Sequence, residues 1–181
     1  MEIKIFNRKR IKIRKISKKD LRNVEKFQDF INSLIKKGAQ IMMNKKFSLK
    51  EEKKWLKEQL KKIKKHKKVS LIAEHNNMVV GNTDIDLKIG RQSHIGEFGI
   101  TIRDGYRGIG LGSYLMNKII KLAKKELKPQ PKIIRLGVFS TNKPAIGLYK
   151  KFGFKKVAKI PKQIAIKGKL VDEIIMLLEL S

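Results

Sequence analysis

The stretch RDGYRGIGLGSYL, from Arg103 to Leu115, decides the fold of this chain. A strand-like run, HIGEFGITI (His94–Ile102), leads into it, and a long helical pattern leads out of it. Between them, glycines stand at three alternate positions, Gly108, Gly110 and Gly112. Glycines at the start of a helix let backbone N–H groups approach an anion, and the helix adds unpaired donors and the positive end of its dipole. The stretch therefore predicts a binding site for a pyrophosphate group.

The spacing of the glycines separates this loop from the two best-known phosphate loops. A Walker A loop ends in Gly-Lys-Ser/Thr, whereas the pair Gly112-Ser113 lacks the lysine. In the Rossmann fingerprint GxGxxG the third glycine comes one residue later than it does here. The register that fits is Arg-x-x-Gly-x-Gly, formed by Arg107, Gly110 and Gly112.

A second motif lies downstream, where the residues from Asn142 to Phe154 read NKPAIGLYKKFGF. A strand-like run, IIRLGV (Ile133–Val138), separates it from the glycine loop. The two motifs, in this order, resemble the acetyl-CoA loop and the N-x-x-A-x-x-x-Y-x-x-x-G-F block of the GCN5-related N-acetyltransferase (GNAT) family. The resemblance is specific from Ile95 to Phe154 and loose outside that range.

The resemblance implies an α/β fold, in which a mixed central sheet is flanked by helices and splayed between its fourth and fifth strands. These two strands correspond to His94–Ile102 and Ile133–Val138, and the pantetheine arm of acetyl-CoA would lie in the gap between them. The periodicity of the chain independently predicts the order β-α-α-β-β-β-α-β-α-β-β. We expect one domain over residues 1–181.

The other elements are predicted from periodicity and caps. Arg10–Ile16 alternates apolar and basic residues, as a strand does, and Ser17 or Asp20 is expected to cap the helix that follows it. A capping box at Ser48 predicts the start of the second helix, and the pair Asn76-Asn77 predicts a hairpin. The last two strands are expected at Phe154–Ile160 and Val171–Leu180, around a turn at Lys167-Gly168-Lys169.

The resemblance also implies which residues hold acetyl-CoA. Backbone N–H groups of the loop would bind the pyrophosphate, and Arg107 would add positive charge. The backbone of Ile102 and the side chain of Asn142 would contact pantetheine, although Asn142 can equally serve as a helix cap. The predicted cofactor-binding residues are Ile102, Arg107, Gly108, Ile109, Gly110, Leu111, Gly112, Ser113 and Asn142.

Acetyl transfer to an amine needs a proton acceptor for the ammonium group and a proton donor for the departing thiolate. Tyr149 stands where the family carries its acid and returns to the helix face of Asn142; the alternative is a tyrosine that only packs in the core. Glu97 lies in the strand before the loop, where relatives carry a base or a water-orienting carboxylate; the alternative is a salt bridge to a lysine. His94 is a second candidate base.

The composition excludes several other chemistries. The 181 residues contain no cysteine, so the chain has no disulfide, no thiolate nucleophile and no cysteine-based metal site. The three histidines lack the spacing of metal ligands, and we predict no metal site. No activated nucleophile is visible, which favours direct transfer over a covalent enzyme intermediate. No apolar run approaches the ~20 residues of a membrane span, and the N-terminus does not resemble a signal peptide, so we expect a cytoplasmic protein without membrane contact.

The chain is strongly basic, with 45 lysine and arginine residues against 16 acidic ones and a net charge of +29. Such a field attracts anions, and the lysines are densest from Lys36 to Lys68. One interpretation is a compositional bias of the kind seen in proteins from hot environments or from AT-rich genomes. The other is weak contact with RNA or the ribosome.

Together these features predict an acetyl-CoA-dependent N-acetyltransferase that acts directly on a primary amine. The acceptor is a small amine, a protein N-terminus or a ribosomal protein, and the positive field argues against polyamines. The alternative is a basic module that binds nucleic acid or the ribosome and retains the fold without turnover. Whether the chain forms a homodimer is left open.

Overall fold

A computed structural model describes residues 1–166 and 168–180, over which the chain forms an eight-stranded mixed sheet flanked by four α-helices. Lys167, in the predicted last turn, lies outside the described residues. Within them, no helix is both long enough and apolar enough to cross a membrane. The strands are β1 (Glu2–Phe6), β2 (Lys9–Lys15), β3 (Lys68–His75), β4 (Met78–Leu87), β5 (Ile95–Ile102), β6 (Ile133–Phe139), β7 (Lys155–Ile166) and β8 (Lys169–Glu179). The helices are α1 (Val24–Lys36), α2 (Leu49–Lys64), α3 (Leu111–Glu126) and α4 (Lys143–Lys151).

The sheet parts between two of its central strands. The strand order is β1-β2-β3-β4-β5-β6-β8-β7, and all neighbours are antiparallel except β5 and β6. These two pair only from Ile95–Glu97 to Ile133–Arg135, after which β5 continues to Ile102 and β6 to Phe139 without a shared hydrogen bond. The predicted α/β fold and its splayed sheet are confirmed. The gap lies between β5 and β6 because the chain has one strand more than predicted.

The strand that the sequence interpretation missed is β1. It forms a hairpin with β2 through Asn7 and Arg8, whose φ angles of 44° and 64° are those of a tight two-residue turn. Neither turn residue is a glycine, which removes the usual signal. β1 supports the start of α3, because the Phe6 ring packs edge-on against Tyr114 at 5.7 Å between ring centroids.

The first α-helix starts later than the caps predicted at Ser17 or Asp20. Ser17 precedes a short 3-10 helix, Lys18–Arg22, and α1 begins after Asn23. Asp20 lies in that 3-10 helix, where it is buried against Arg14 at 2.6 Å. The capping box at Ser48 and the Asn76-Asn77 turn are confirmed.

The last hairpin is longer than predicted. β7 continues past Ile160 to Ile166, with a register shift between Ile160 and Ile164. Pro161 lies in that irregular segment. β7 is an edge strand, and an edge strand tolerates a proline because its outward N–H needs no partner.

The apolar side chains pack in three clusters. The first lies between α3, α4 and strands β5, β6 and β8, and the second joins α1 and α2 to β3 and β4. The third underlies the glycine loop and contains Ile11, Ile13, Ala73, Val80, Leu111 and Leu115. On the face that carries α1 and α2, the middle of β6 remains exposed at Gly137.

Candidate active site

The glycine loop runs from the end of β5 into the first turn of α3. Gly108 and Gly110 have φ angles of 74° and 88°, which residues with a side chain rarely adopt. Gly112 has another role, because a Cβ there would lie 3.2 Å from Ile102 Cδ1 and 3.4 Å from Leu148 Cδ2. The first two glycines shape the loop, and the third lets α3 pack closely against β5 and α4.

The backbone donors of the glycine loop find no acceptor among residues 1–166 and 168–180. The first hydrogen bond at the start of α3 runs from the Tyr114 N–H to the Gly110 carbonyl oxygen, at 3.1 Å. In the described part of the chain, no backbone N–H from Arg107 to Ser113 donates to another protein group. These donors stand at the positive end of the α3 dipole, an arrangement that binds phosphate groups.

The apolar side chains of the loop anchor it to the sheet. Leu111 is fully buried, and Ile109 and Tyr106 pack against the third core cluster. The Tyr106 hydroxyl lies 2.9 Å from His75 Nδ1, at the end of β3. Of the residues predicted to bind the cofactor, Leu111 can therefore contribute only through its backbone, whereas the side chain of Ile109 remains partly exposed.

Arg107 joins the loop to the end of β5. Its Nε donates to the Ile102 carbonyl oxygen at 2.9 Å, while the side chain remains exposed. The guanidinium also lines a cavity of about 320 Å³, together with Lys37 and Arg103. Arg103 is paired with Asp29 at 2.6 Å, whereas Arg107 and Lys37 have no carboxylate partner among the described residues and can offer their charge to an anionic ligand in this cavity.

Backbone groups of β5 face the gap. The Arg103 N–H bonds to the Val80 carbonyl oxygen of β4 at 2.9 Å. Hydrogen-bonded positions alternate along an antiparallel pair, so Ile100 and Ile102 direct their own N–H and C=O groups away from β4 and into the gap. Ile102 was among the predicted residues; Ile100 was missed because the sequence does not reveal which positions bond to β4.

Asn142 stands at the start of α4, across the gap from β5. Its Oδ1 accepts a hydrogen bond from the Ala145 N–H at 3.3 Å, which is the helix-cap role that the sequence left open. Its Nδ2 makes no hydrogen bond to the residues that the structure describes. The cap and a contact to a ligand are therefore compatible.

Tyr149 lies inside the first core cluster, on the α3 and α4 side of the sheet. Its ring meets Phe98 edge-on at 6.0 Å and Phe154 at 5.9 Å, and the residue is 7% exposed. Burial raises the pKa of the Tyr149 hydroxyl to about 12, so the phenol keeps its proton at neutral pH. The ring thus packs in the core, as the alternative interpretation expected, and its hydroxyl retains the proton that an acid needs.

Glu97 lies on the opposite face of β5. Side chains alternate along a strand, and its neighbour Phe98 contacts Tyr149. Glu97 Oε2 is 3.1 Å from Lys88 Nζ, an ion pair without the alignment of a hydrogen bond. The salt bridge considered as an alternative is present, and about 39% of the side chain is exposed. His94, the second candidate base, precedes β5.

A network of charged side chains that the sequence did not predict lines a surface pocket that also contains Glu97. Lys68 is 7% exposed, and its Nζ lies 3.1 Å from Asp84 and 3.7 Å from Asp86. Lys62 completes the network at 2.5 Å from Asp86. Burial raises the pKa of Asp84, although the nearby Lys68 opposes this shift. Within the described residues, no group of histidine and carboxylate side chains is spaced to hold a metal ion.

Comparison with known proteins places these motifs in a family. The model of the Acetyltransferase (GNAT) family matches residues 38–154. A curated relative, the L-amino acid N-acetyltransferase AaaT of Escherichia coli (strain K12), is 35% identical over 103 residues. That alignment covers 56% of this chain and 62% of the relative.

Solved structures share the fold. A GNAT-family acetyltransferase from Streptococcus pneumoniae superposes with a TM-score of 0.81 at 23% identity, over 94% of this chain and 99% of that one. An acetyltransferase from Salmonella typhimurium, determined with its cofactor acetyl-CoA, gives a TM-score of 0.78 at 20% identity, over 94% of each chain. The family match does not support the alternative of a basic module without turnover.

Proposed function

The chain belongs to the acetyltransferase (GNAT) family, and we propose that it transfers the acetyl group of acetyl-CoA to a primary amine. The observation that carries this proposal is the run of backbone donors from Arg107 to Ser113, which follows the end of β5 beyond the point where β5 and β6 part. Pyrophosphate on those donors would leave the pantetheine arm to enter the gap. There the backbone of Ile100 and the N–H of Ile102 offer strand-like hydrogen bonds, while the Ile102 carbonyl oxygen already accepts one from Arg107.

The proposed chemistry is a direct transfer. The ammonium group of the acceptor loses one proton to Glu97, directly or through water, and the free nitrogen attacks the thioester carbon. A C–N bond forms, the C–S bond breaks, and coenzyme A leaves as a thiolate. Tyr149 gives its proton to the sulfur and regains one as the nitrogen loses its second proton. The products are an N-acetyl amine, coenzyme A and one proton.

We propose the α-amino group of an L-amino acid as the acceptor. The support is the curated relative, which is named for that substrate class. Other small amines and the N-terminus of a protein are the competing acceptors. A polycationic amine is disfavoured, because a chain with a net charge of +29 repels it.

Two measurements test the function. Acetyl-CoA at ~100 times its Kd should stabilise the protein by roughly 2.7 kcal/mol in thermal unfolding. S-acetylpantetheine, which lacks the phosphates, should stabilise it far less at the same concentration. Thiol release should then be followed with the twenty L-amino acids, spermidine and a peptide with a free N-terminal alanine. Tight binding of acetyl-CoA without thiol release for any amine would instead favour a binding protein.

A further inference from the structure

An exposed glycine stands in the middle of the central strand β6. A Cβ at Gly137 would lie 2.1 Å from Glu173 Oε1 and 3.2 Å from Glu173 Cδ. Any other residue at this position would displace the carboxylate. Glu173 belongs to β8, so its side chain reaches across and rests against the backbone of β6. The absence of a side chain at Gly137 leaves room for this carboxylate.

The carboxylate lies beside the gap between β5 and β6. Arg135 is the last residue of β6 that pairs with β5, and its partner is Glu97. Gly137 is two residues further on and faces the same side of the sheet as Arg135 and Glu97. Gly99 of β5 is likewise two residues beyond Glu97, so at this level neither strand carries a side chain on this side of the sheet. The Glu173 carboxylate thus lies where an acceptor would reach the gap.

Glu173 has no cationic partner among the residues that the structure describes, although the chain is rich in lysine and arginine. Glu97 is paired with Lys88 at 3.1 Å, and the adjacent Asp172 is paired with Lys159 at 2.8 Å. Among residues 1–166 and 168–180, no lysine or arginine nitrogen lies within 4.0 Å of the Glu173 carboxylate, and no hydrogen bond reaches it. The residue is only partly exposed. A partly buried carboxylate without a partner is suited to a cation supplied by a ligand.

We propose that Glu173 binds the ammonium group of the acceptor and holds its nitrogen at the gap, an assignment that rests on the acetyltransferase function proposed above. The nitrogen then approaches the thioester from the face of Glu97, while Tyr149 meets the sulfur from the other face. Glu97 is paired with Lys88, whereas the Glu173 carboxylate has no cation within 4.0 Å among the described residues. Glu173 is therefore the better of these two carboxylates for binding the ammonium group of a ligand. Glu173 recognises the acceptor, and Gly137 is the positioning residue that gives its carboxylate room.

The variant Glu173→Gln tests the assignment, because it keeps the shape and removes the charge. With the amine of the panel that gives the fastest thiol release, the KM for that amine should rise about 10- to 100-fold, the loss expected for a charged hydrogen bond. The Kd for acetyl-CoA, measured by calorimetry, should not change. Glu179→Gln removes an exposed carboxylate from the same strand and should leave both constants at the wild-type value.

Gly137→Ala provides a second, independent test. It keeps the charge of Glu173 but moves the carboxylate off β6, so the KM for the amine should rise here as well. In the double variant, Gly137→Ala should add little to the effect of Glu173→Gln, because both act on one carboxylate. Thermal unfolding of each variant checks that it is folded; if Gly137→Ala does not fold, Glu173→Gln alone decides.

Three results would overturn the assignment in distinguishable ways. An unchanged KM and kcat for Glu173→Gln would remove Glu173 from the acceptor site while the proposed function stands. A loss of acetyl-CoA affinity together with activity would make Glu173 a cofactor or fold residue. If the wild-type protein releases no thiol with any amine of the panel, the proposed function fails, and this assignment fails with it.

Discussion

The side chain of Arg107 binds the backbone of Ile102, with Nε donating to the carbonyl oxygen at 2.9 Å. This bond joins the glycine loop to the last residue of β5, the strand that borders the gap. It uses one nitrogen of the guanidinium and leaves the others accessible, since the residue is exposed. One side chain can therefore orient the loop and still offer positive charge to a phosphate.

Replacing Arg107 should weaken the binding of acetyl-CoA. Arg107→Gln removes the charge and the loop contact together, and we expect the Kd to rise about 10-fold, the effect of losing one charged hydrogen bond. Arg107→Lys restores the charge without the planar fork and should give an intermediate Kd. Calorimetry provides both values. Arg91→Gln, at an exposed arginine in the turn before β5, is the matched control. Equal affinities for Arg107→Gln and wild type would return Arg107 to the role of a solvated surface cation.

Alanine substitutions at two glycines distinguish the effect of loop geometry on acetyl-CoA binding from the effect of an added methyl group. Gly110 has a φ angle of 88°, so Gly110→Ala should strain the loop by about 1–2 kcal/mol and turn its donors away from the ligand. A Cβ added at Gly147, in α4, would have no other atom within 4 Å, and Gly147→Ala should stabilise the helix by about 0.5–1 kcal/mol. Acetyl-CoA affinity should fall for the first variant only. Affinity that is unchanged in Gly110→Ala would contradict the phosphate-loop assignment.

Tyr149→Phe removes one hydroxyl and keeps the ring that packs against Phe98. If Tyr149 protonates the thiolate, kcat should fall by roughly 10²–10⁴ while the Kd for acetyl-CoA stays nearly constant. The control is Tyr114→Phe, which removes a hydroxyl that donates to Glu2 at 2.9 Å. It should alter stability by about 1 kcal/mol and leave kcat unchanged. Single-turnover kinetics distinguish the chemical step from product release, and an unaltered chemical rate would make Tyr149 a packing residue.

Glu97→Gln distinguishes a base from a surface ion pair. As a base, Glu97 should contribute about 10² or more to kcat. As a partner of Lys88 alone, it should change only the free energy of unfolding, and by less than about 1 kcal/mol, because both side chains are partly exposed. Steady-state kinetics and urea unfolding of the same preparation measure the two quantities. If Glu97 is a base, Lys88→Gln should have the same free energy of unfolding as Glu97→Gln but a higher kcat. If the two variants have the same kcat as well as the same stability, Glu97 is not a base.

The parts of the site that the sequence predicts are local in the chain. The glycine loop and the Asn142 cap each lie within one short motif, whose backbone chemistry can be derived from residue type and spacing alone. Tyr149 lies in the same motif as Asn142, but its role as an acid is implied by the resemblance to the family. The α/β order follows in the same way from periodicity, apart from β1. Ile3 and Ile5 of β1 are exposed, so the strand buries little and carries only a short alternating pattern.

The parts that could not be predicted depend on pairing between distant segments. Gly137 and Glu173 meet because β6 and β8 are neighbours in the sheet, although α4 and β7 separate them along the chain. The backbone of Ile100 faces the gap because of the register between β4 and β5. Nothing in the local sequence specifies either the neighbour or the register, which are set by the packing of the whole sheet.

Glu52 supplies a prediction on stability. It lies in the first turn of α2, is 6% exposed, and burial raises its pKa from 4.5 to about 7. Its contribution to stability is therefore fully present below about pH 4.5 and is lost as the pH rises through 7. The side chain of Glu52→Gln is uncharged, like that of the protonated acid. At pH 8 the free energy of unfolding of this variant should therefore exceed that of wild type by about 1–3 kcal/mol. The difference is limited because the helix dipole offsets part of the cost of burying the ionised carboxylate in wild type. At pH 4 the two proteins should have nearly equal free energies of unfolding.

Urea unfolding at both pH values measures the difference, with Glu58→Gln, exposed on the same helix, as the control. If the difference in free energy of unfolding between Glu52→Gln and wild type were the same at both pH values, ionisation of Glu52 would not destabilise the fold.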